Sequence, residues 1–114
     1  MNEQAIIEQN KGLQVIDPLS STDSVSFLVS EHRFENYTVQ IVKVQWTKTQ
    51  KAYCVRILNF NTGNRPHIQI PCDTLRNCKA FVNEAAKTGV ISLWTGHTAK
   101  VGNPIVNGIT LKIN

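Results

Sequence analysis

The sequence predicts an α+β fold in which an antiparallel β-meander packs against one main helix, at about residues 73–88, with a C-terminal β-hairpin. Three observations predict it. From Val25 to Pro71, short runs of β-branched and aromatic residues alternate with polar turns too short to carry a crossover, so successive strands run antiparallel. Asp73–Gly89 alone combines apolar residues at helical spacing with a stop or start signal at each end. In the tail, Asn107-Gly108 stands between Ile105-Val106 and Ile109-Thr110, the strongest short-range hairpin signal a sequence offers. At 114 residues, 41% hydrophobic and 18% charged, the chain has the size and composition of one globular domain. Residues 1–24 read as an N-terminal segment, partly ordered, and residues 25–114 as a single α+β domain.

Taken in order, Met1–Asn10 reads as loosely ordered or as a marginal short helix, and Leu13–Ile16 as an edge strand before the breaker cluster Asp17-Pro18-Leu19-Ser20-Ser21. Val25–Val29 has the composition of a buried strand, and Glu31–Asn36 reads as a turn. Tyr37–Trp46 is the strongest strand signal, because Val39, Ile41, Val42, Val44 and Trp46 are β-formers interrupted at strand spacing by Gln40, Lys43 and Gln45. Thr47–Ala52 is a loop. Tyr53–Phe60 follows, with Tyr53, Val55 and Ile57 on one face and Cys54, Arg56, Leu58 and Phe60 on the other. After the turn at Asn61–Asn64, His67–Pro71 returns as a third strand. The helix is capped by Asp73 or Thr74, buries Leu75, Cys78, Phe81, Val82 and Ala85, and ends at Gly89. Val90–Trp94 reads as a strand and Thr95–Asn103 as a loop.

The net charge of +4 conceals an asymmetry. Residues 1–36 carry six acidic groups (Glu3, Glu8, Asp17, Asp23, Glu31, Glu35) against Lys11 and Arg33, a balance of −4. Residues 37–114 carry ten basic groups against only Asp73 and Glu84, a balance of +8. A surface that basic attracts polyanions, nucleic acid foremost. Solubility, or pairing with the acidic N-terminal segment, would account for the same charge.

Other chemistry is sparsely represented. No stretch approaches the roughly 18 apolar residues of a membrane span, and no basic flank leads into an apolar run at the N-terminus, so the chain is expected in the cytoplasm, without membrane contact. Cys54, Cys72 and Cys78 are an odd number, as expected of reduced thiols serving as small hydrophobes. With His67 and His97 they lack the paired short spacings of a structural zinc site. Phosphate-binding loops ending in Gly-Lys-Ser/Thr are missing, and a Cys–His nucleophilic pair has no local support. The expectation is a chain that is not an enzyme by itself and uses no cofactor and no metal.

What remains is basic residues interleaved with aromatics. Tyr37, Trp46, Tyr53 and Phe60 lie on adjacent strands beside Lys43, Lys48, Lys51 and Arg56, a composition used by sheets that stack unpaired bases and hold their phosphates. The rings Trp46, Tyr53 and Phe60 are expected sooner as core residues, which makes the loop lysines Lys48 and Lys51 the firmer phosphate ligands. On the helix, Arg76, Lys79, Asn83 and Lys87 recur at steps of three or four and form a basic stripe, or simply a solvated face. The expected nucleic-acid contacts are therefore Lys43, Lys48, Lys51, Arg56, Arg76, Lys79 and Lys87, with DNA, and single strands over double, the weakly favoured partner.

From about Val25 to Val90 the chain resembles a known family. The likeness is carried by the strand Val39–Trp46, by Val55-Arg56-Ile57-Leu58-Asn59-Phe60 running into Thr62-Gly63, by Ile68-Gln69-Ile70-Pro71, and by the helix from Leu75 to Gly89-Val90. It is similar to the N-terminal region of uncharacterised proteins carried by phages, plasmids and chromosomal cassettes, where a small α+β domain precedes a helicase-like ATPase motor, sometimes alongside a primase. The resemblance covers a little over half the chain, rests on fold elements and includes no catalytic residue. It implies a DNA-engaging accessory domain of a mobile-element DNA replication protein, free-standing or excised, that meets a helicase or primase motor. No motor sequence is present, so no ATPase activity is implied. The alternative is a protein–protein docking or oligomerisation module, including a phage- or plasmid-borne modulator of a host protein.

Overall fold

The computed structural model describes residues 3–16, 24–59, 65–93 and 109–114. Its element order is α1 (Glu3–Gln9), β1 (Gln14–Ile16), β2 (Val25–Arg33), β3 (Tyr37–Gln45), β4 (Lys51–Asn59), β5 (Arg65–Pro71), α2 (Leu75–Thr88), β6 (Val90–Leu93) and β7 (Ile109–Lys112). Strands β1 to β5 form one antiparallel sheet in sequence order, and β6 and β7 form an antiparallel pair. This is the α+β meander that the short turns require.

Register decides what each face does. Ile41 lies opposite Val55, Val39 opposite Ile57, Val55 opposite Ile70, and Phe27 opposite Lys43, so these side chains share one face. Both helices cover that face. Helix α2 lays Cys78, Val82 and Ala85 over Val39, Ile41, Val55, Ile57 and Ile70, and Ile91 of β6 and Ile113 complete the core. Truncating one of these side chains, Ile57→Ala for instance, costs about 2–5 kcal/mol through lost burial and the cavity left behind. Helix α1 covers the other end of the face, where Ile6 packs on Val25 and Phe27 with help from Ile7 and Leu13. A bulge falls between Leu28 and Ser30, where β2 carries one residue more than β3.

The second face of the sheet is also buried along its centre, at Ser26, Val42, Cys54, Arg56 and Leu58. Strand β4 is therefore buried on both sides, where period-two spacing alone leaves open whether the second face is wet.

Boundaries follow local chemistry. Strand β3 stops at Gln45 and β4 starts at Lys51, two residues before the expected start, because Gln45 and Lys51 are still paired. The turn between them is closed by Trp46 N–H donating to the Gln50 carbonyl (3.0 Å) and Gln50 N–H donating to Thr47 Oγ1 (3.0 Å). Strand β2 runs on to Arg33, so the turn shrinks to the residues around Glu35, with Phe34 N–H bonded to the Tyr37 carbonyl (2.8 Å). Thr74 caps α2 by accepting from Asn77 N–H (3.1 Å). Gly89 closes it in the left-handed region at φ 77°, donating to the Ala85 carbonyl (2.8 Å). In the tail, Ile109 and Thr110 pair with Leu93 and Ser92 of β6. The predicted Asn107-Gly108 turn, like Asp17–Ser21, Asn61–Asn64 and Thr95–Asn103, lies outside the described residues.

Candidate nucleic-acid interface

The hairpin joining β3 and β4 positions the first group of candidate residues. Trp46 follows the last paired residue of β3 and is 38% exposed. Lys48 lies in the turn and Lys51 at its base, both exposed. Lys43 and Lys51 fall on the same face, two register steps apart along the hairpin.

The hairpin is held by a buried polar network that reaches back to α1. Gln45, fully buried, accepts from Asn10 Nδ2 (2.9 Å) and donates through Nε2 to Gln9 Oε1 (3.0 Å) and the Thr47 carbonyl (2.9 Å). Asn10 also donates to the Ile6 carbonyl (2.9 Å) and accepts from Lys43 Nζ (2.5 Å). Gln9 Nε2 donates to the Lys48 carbonyl (3.1 Å). Asn10 and Gln45 sit in a low-dielectric interior, so their satisfied bonds tie the hairpin to α1, with Gln9 closing the network from its exposed side. Burial, and then the positive charge of Lys51, holds the Lys43 ammonium below its ordinary pKa.

Helix α2 supplies the second group. Its solvent face carries Arg76, Lys79, Asn83 and Lys87, all exposed, and Arg76 and Lys79 border a shallow groove with Leu75, Ala80 and Asn83. Strand β5 ends at Pro71 opposite Cys54, three residues past Lys51, so α2 starts at the hairpin end of the sheet. It runs back to Gly89, whose carbonyl accepts from Ile113 N–H (3.1 Å), while the Ile113 carbonyl accepts from Asn36 N–H (2.9 Å) at the opposite end. Lys87 is therefore about 16 Å along the axis from Arg76. The structure gathers Lys43, Lys48 and Lys51 on the hairpin, sets Arg76 and Lys79 toward the same end, and leaves Lys87 at the far one.

Arg56 departs from the sequence reading. It is 3% exposed, and its Nε donates to Gln69 Oε1 (3.2 Å) on the neighbouring strand. The expected phosphate ligand is an interior residue instead, because it falls between Cys54 and Leu58 on the sheet's second buried face. Among the rings, Tyr37 and Tyr53 are half-buried against the main core, and Phe60 lies outside the described residues. Trp46 is exposed, where its place at the end of a strand and its size favour a core role. Lys11 was not among the candidates; it is exposed and directly follows Asn10, and only the contact between α1 and the hairpin brings it to this end.

No group of three or more His, Cys, Asp or Glu able to hold a metal occurs among the described residues. A groove of about 300 Å³ between α2 and β6 is lined by Phe81, Ala85, Val90 and Ile91, and among the described residues Glu84 is its sole ionisable side chain, with no acid–base pair. Within the described residues no helix is long and apolar enough to cross a membrane. Comparison of the chain with models of protein families, with curated proteins and with solved structures finds no match in any of the three.

Proposed function

We propose that this chain is a nucleic-acid-binding accessory domain, not an enzyme by itself, that engages single-stranded DNA through the β3–β4 hairpin and serves a mobile-element replication protein. One observation carries the reading: an exposed indole, Trp46, stands at the end of a hairpin bearing Lys48 and Lys51, with Lys43 behind them. A flat ring beside flexible cations fits an unpaired base and its flanking phosphates, whereas a paired base keeps its faces inside the stack. Arg76 and Lys79 extend the positive surface toward the same end. The replication context follows from the sequence resemblance, which also names a helicase or primase motor as protein partner.

The test is fluorescence anisotropy with labelled single-stranded and double-stranded oligonucleotides of equal length at low salt. Tighter binding of the single strand, weakened by Trp46→Ala, supports the reading; absence of binding to either at low salt overturns it. A docking module is the second reading, favoured by the three-residue edge strand β1, where Val15 is 46% exposed. A concentration-dependent oligomer with no nucleic-acid affinity would select it.

A further inference from the structure

Two of the chain's three cysteines, Cys72 and Cys78, flank the point where β5 passes into α2, and the third, Cys54, lies on the neighbouring strand. Cys54 lies on β4 opposite Pro71, and Cys72 N–H donates to the Tyr53 carbonyl (3.1 Å), so Cys72 crosses β4 beside Cys54. Thr74 N–H then bonds to the Cys72 carbonyl (2.6 Å) around Asp73, whose φ of 62° makes this a tight left-handed γ-turn. That reversal points the chain straight into α2, where Cys78 sits one turn in, with its N–H on the Thr74 carbonyl (3.1 Å). The residue just before a helix cap commonly packs on the fourth helical residue. Here the γ-turn gives that place to Cys72, which packs against the core cluster that contains Cys78.

Their surroundings differ in a useful way. Cys78 is fully buried in the main core and Cys54 is buried on the sheet's second face, whereas Cys72 is half-exposed at the core's rim, its Sγ also near the Ile70 carbonyl (3.6 Å). A solute oxidant therefore meets Cys72 first, with the Cys78 thiol in the cluster behind it.

We infer that Cys72 and Cys78 are a peroxide-sensitive dithiol, in which Cys72 is the attacking sulfur and Cys78 the resolving one. The Cys72 sulfur attacks one oxygen of a hydroperoxide, ROOH; the O–O bond breaks, ROH leaves with a proton, and Cys72 becomes a sulfenic acid. The Cys78 sulfur then displaces the hydroxyl group as water, taking the Cys78 proton with it, and the S–S bond forms. Two thiols and one hydroperoxide give one disulfide, one alcohol and one water, and an external dithiol reverses the change by exchange. Closing the bond draws on movement of the first helical turn, the part of a helix with fewest internal hydrogen bonds. The Cys78 thiol, donating its hydrogen to Cys72, holds Cys72 below the ordinary thiol pKa and is itself pushed up by that bond and by burial. The inference concerns the thiols alone and is independent of nucleic-acid binding.

Peptide mapping tests it directly on the folded wild-type chain. Trypsin does not cut Arg65-Pro66 but cuts after Arg56, Arg76 and Lys79, so the three cysteines fall in separate peptides, Ala52–Arg56, Ile57–Arg76 and Asn77–Lys79. After limited hydrogen peroxide and alkylation, the expected product is Ile57–Arg76 joined to Asn77–Lys79 with loss of two hydrogens, released by dithiothreitol. Cys72→Ser, its fold checked by circular dichroism, should slow oxidation of Cys78 about tenfold or more. Cys72 over-oxidised with Cys78 still free, a link through Cys54, or a link between chains would each overturn the inference. The wild-type map decides even if the variant does not fold.

Discussion

The number of phosphates this surface can neutralise is set by where the structure puts its cations, and the salt dependence of binding reads that number. On a single strand, the logarithm of the association constant falls with the logarithm of salt at a slope of about −0.7 per phosphate neutralised. If the hairpin acts alone, through Lys43, Lys48 and Lys51, the slope is about −2 and affinity falls roughly 18-fold between 50 and 200 mM salt. If Arg76 and Lys79 join from α2, five contacts give a slope of about −3.5 and a fall of roughly 130-fold over the same range. The double variant Lys48→Glu/Lys51→Glu should flatten the slope by at least about 1.4, since two contacts are removed and two repulsive charges take their place. Anisotropy titrations at four or five salt concentrations measure both slopes. A double variant with the wild-type slope would refute the reasoning, because binding would then run through cations elsewhere.

Four further outcomes follow from individual residues. Trp46→Ala should cost about 1–3 kcal/mol in single-strand affinity, the worth of one stacked base, while leaving the salt slope unchanged; a shifted slope with no loss in affinity would show that the ring does not stack. Asn10→Ala strips Gln45 Oε1 of its buried donor, while the Ile6 carbonyl keeps the backbone N–H of residue 10 (3.2 Å) and the half-buried Lys43 Nζ turns to water, so urea denaturation should show a loss of about 1–3 kcal/mol for the one buried group left unsatisfied. Arg56→Ala should behave in the opposite way to a surface lysine, lowering stability by roughly 1–3 kcal/mol through lost packing and the Gln69 bond, with no change in salt slope. Burial pushes the Cys54 thiol up to about 11 from 9.0, so the folded state holds that proton where the unfolded chain has released it. Its contribution is complete below pH 9 and is lost as pH rises toward 11, giving a loss of about 1.4 kcal/mol near pH 10; Cys78, also pushed up, adds its own loss, so in denaturation curves Cys54→Ala should shrink the stability difference between pH 8 and pH 10 by about 1.4 kcal/mol without abolishing it.

The meander was legible because its information is local. Short polar stretches such as Thr47–Gln50 leave no length for a crossover, and Val39 through Val44 present β-formers on both faces, so strand identity and direction follow from a window of twenty residues. Helix α2 was legible for the same reason, with Thr74 and Gly89 marking its ends. Sequence left two candidates for the cap; the structure chooses Thr74, because Asp73 is spent on the γ-turn at φ 62°. The edge strand near Leu13–Ile16 was legible as well, and the structure trims it to Gln14–Ile16. The helix before it was left between loose order and a marginal helix, since seven residues have little stability alone. What holds α1 is Ile6 in contact with Val25 and Phe27, a tertiary term that no local window contains.

Arg56 and Trp46 exchanged the places their residue types suggest, and both exchanges trace to partners distant in sequence. Alternation put Arg56 on the face of β4 opposite Val55 and Ile57, which is correct, but a charged residue there reads as solvent-facing unless something on the next strand can satisfy it. Gln69, thirteen residues on, is that partner. Trp46 continued the run of β-formers from Tyr37 and read as the last residue of the strand. The strand ends one residue earlier because Gln45, a polar residue in a polar-looking position, turns inward to Asn10, thirty-five residues back, and to Gln9. Once the amide occupies the interior, the hairpin turns outward at the next residue and carries the indole into solvent beside Lys48. The exposed ring is therefore a consequence of the buried amide. Gln45→Leu, which can bond neither Gln9 nor Asn10, should loosen α1 and the Trp46 turn together: amide exchange at Trp46 and Gln50 should rise in step with that of α1. If the turn keeps its protection while α1 loses it, the hairpin is set by its own Thr47 and Gln50 bonds and the network merely anchors the helix.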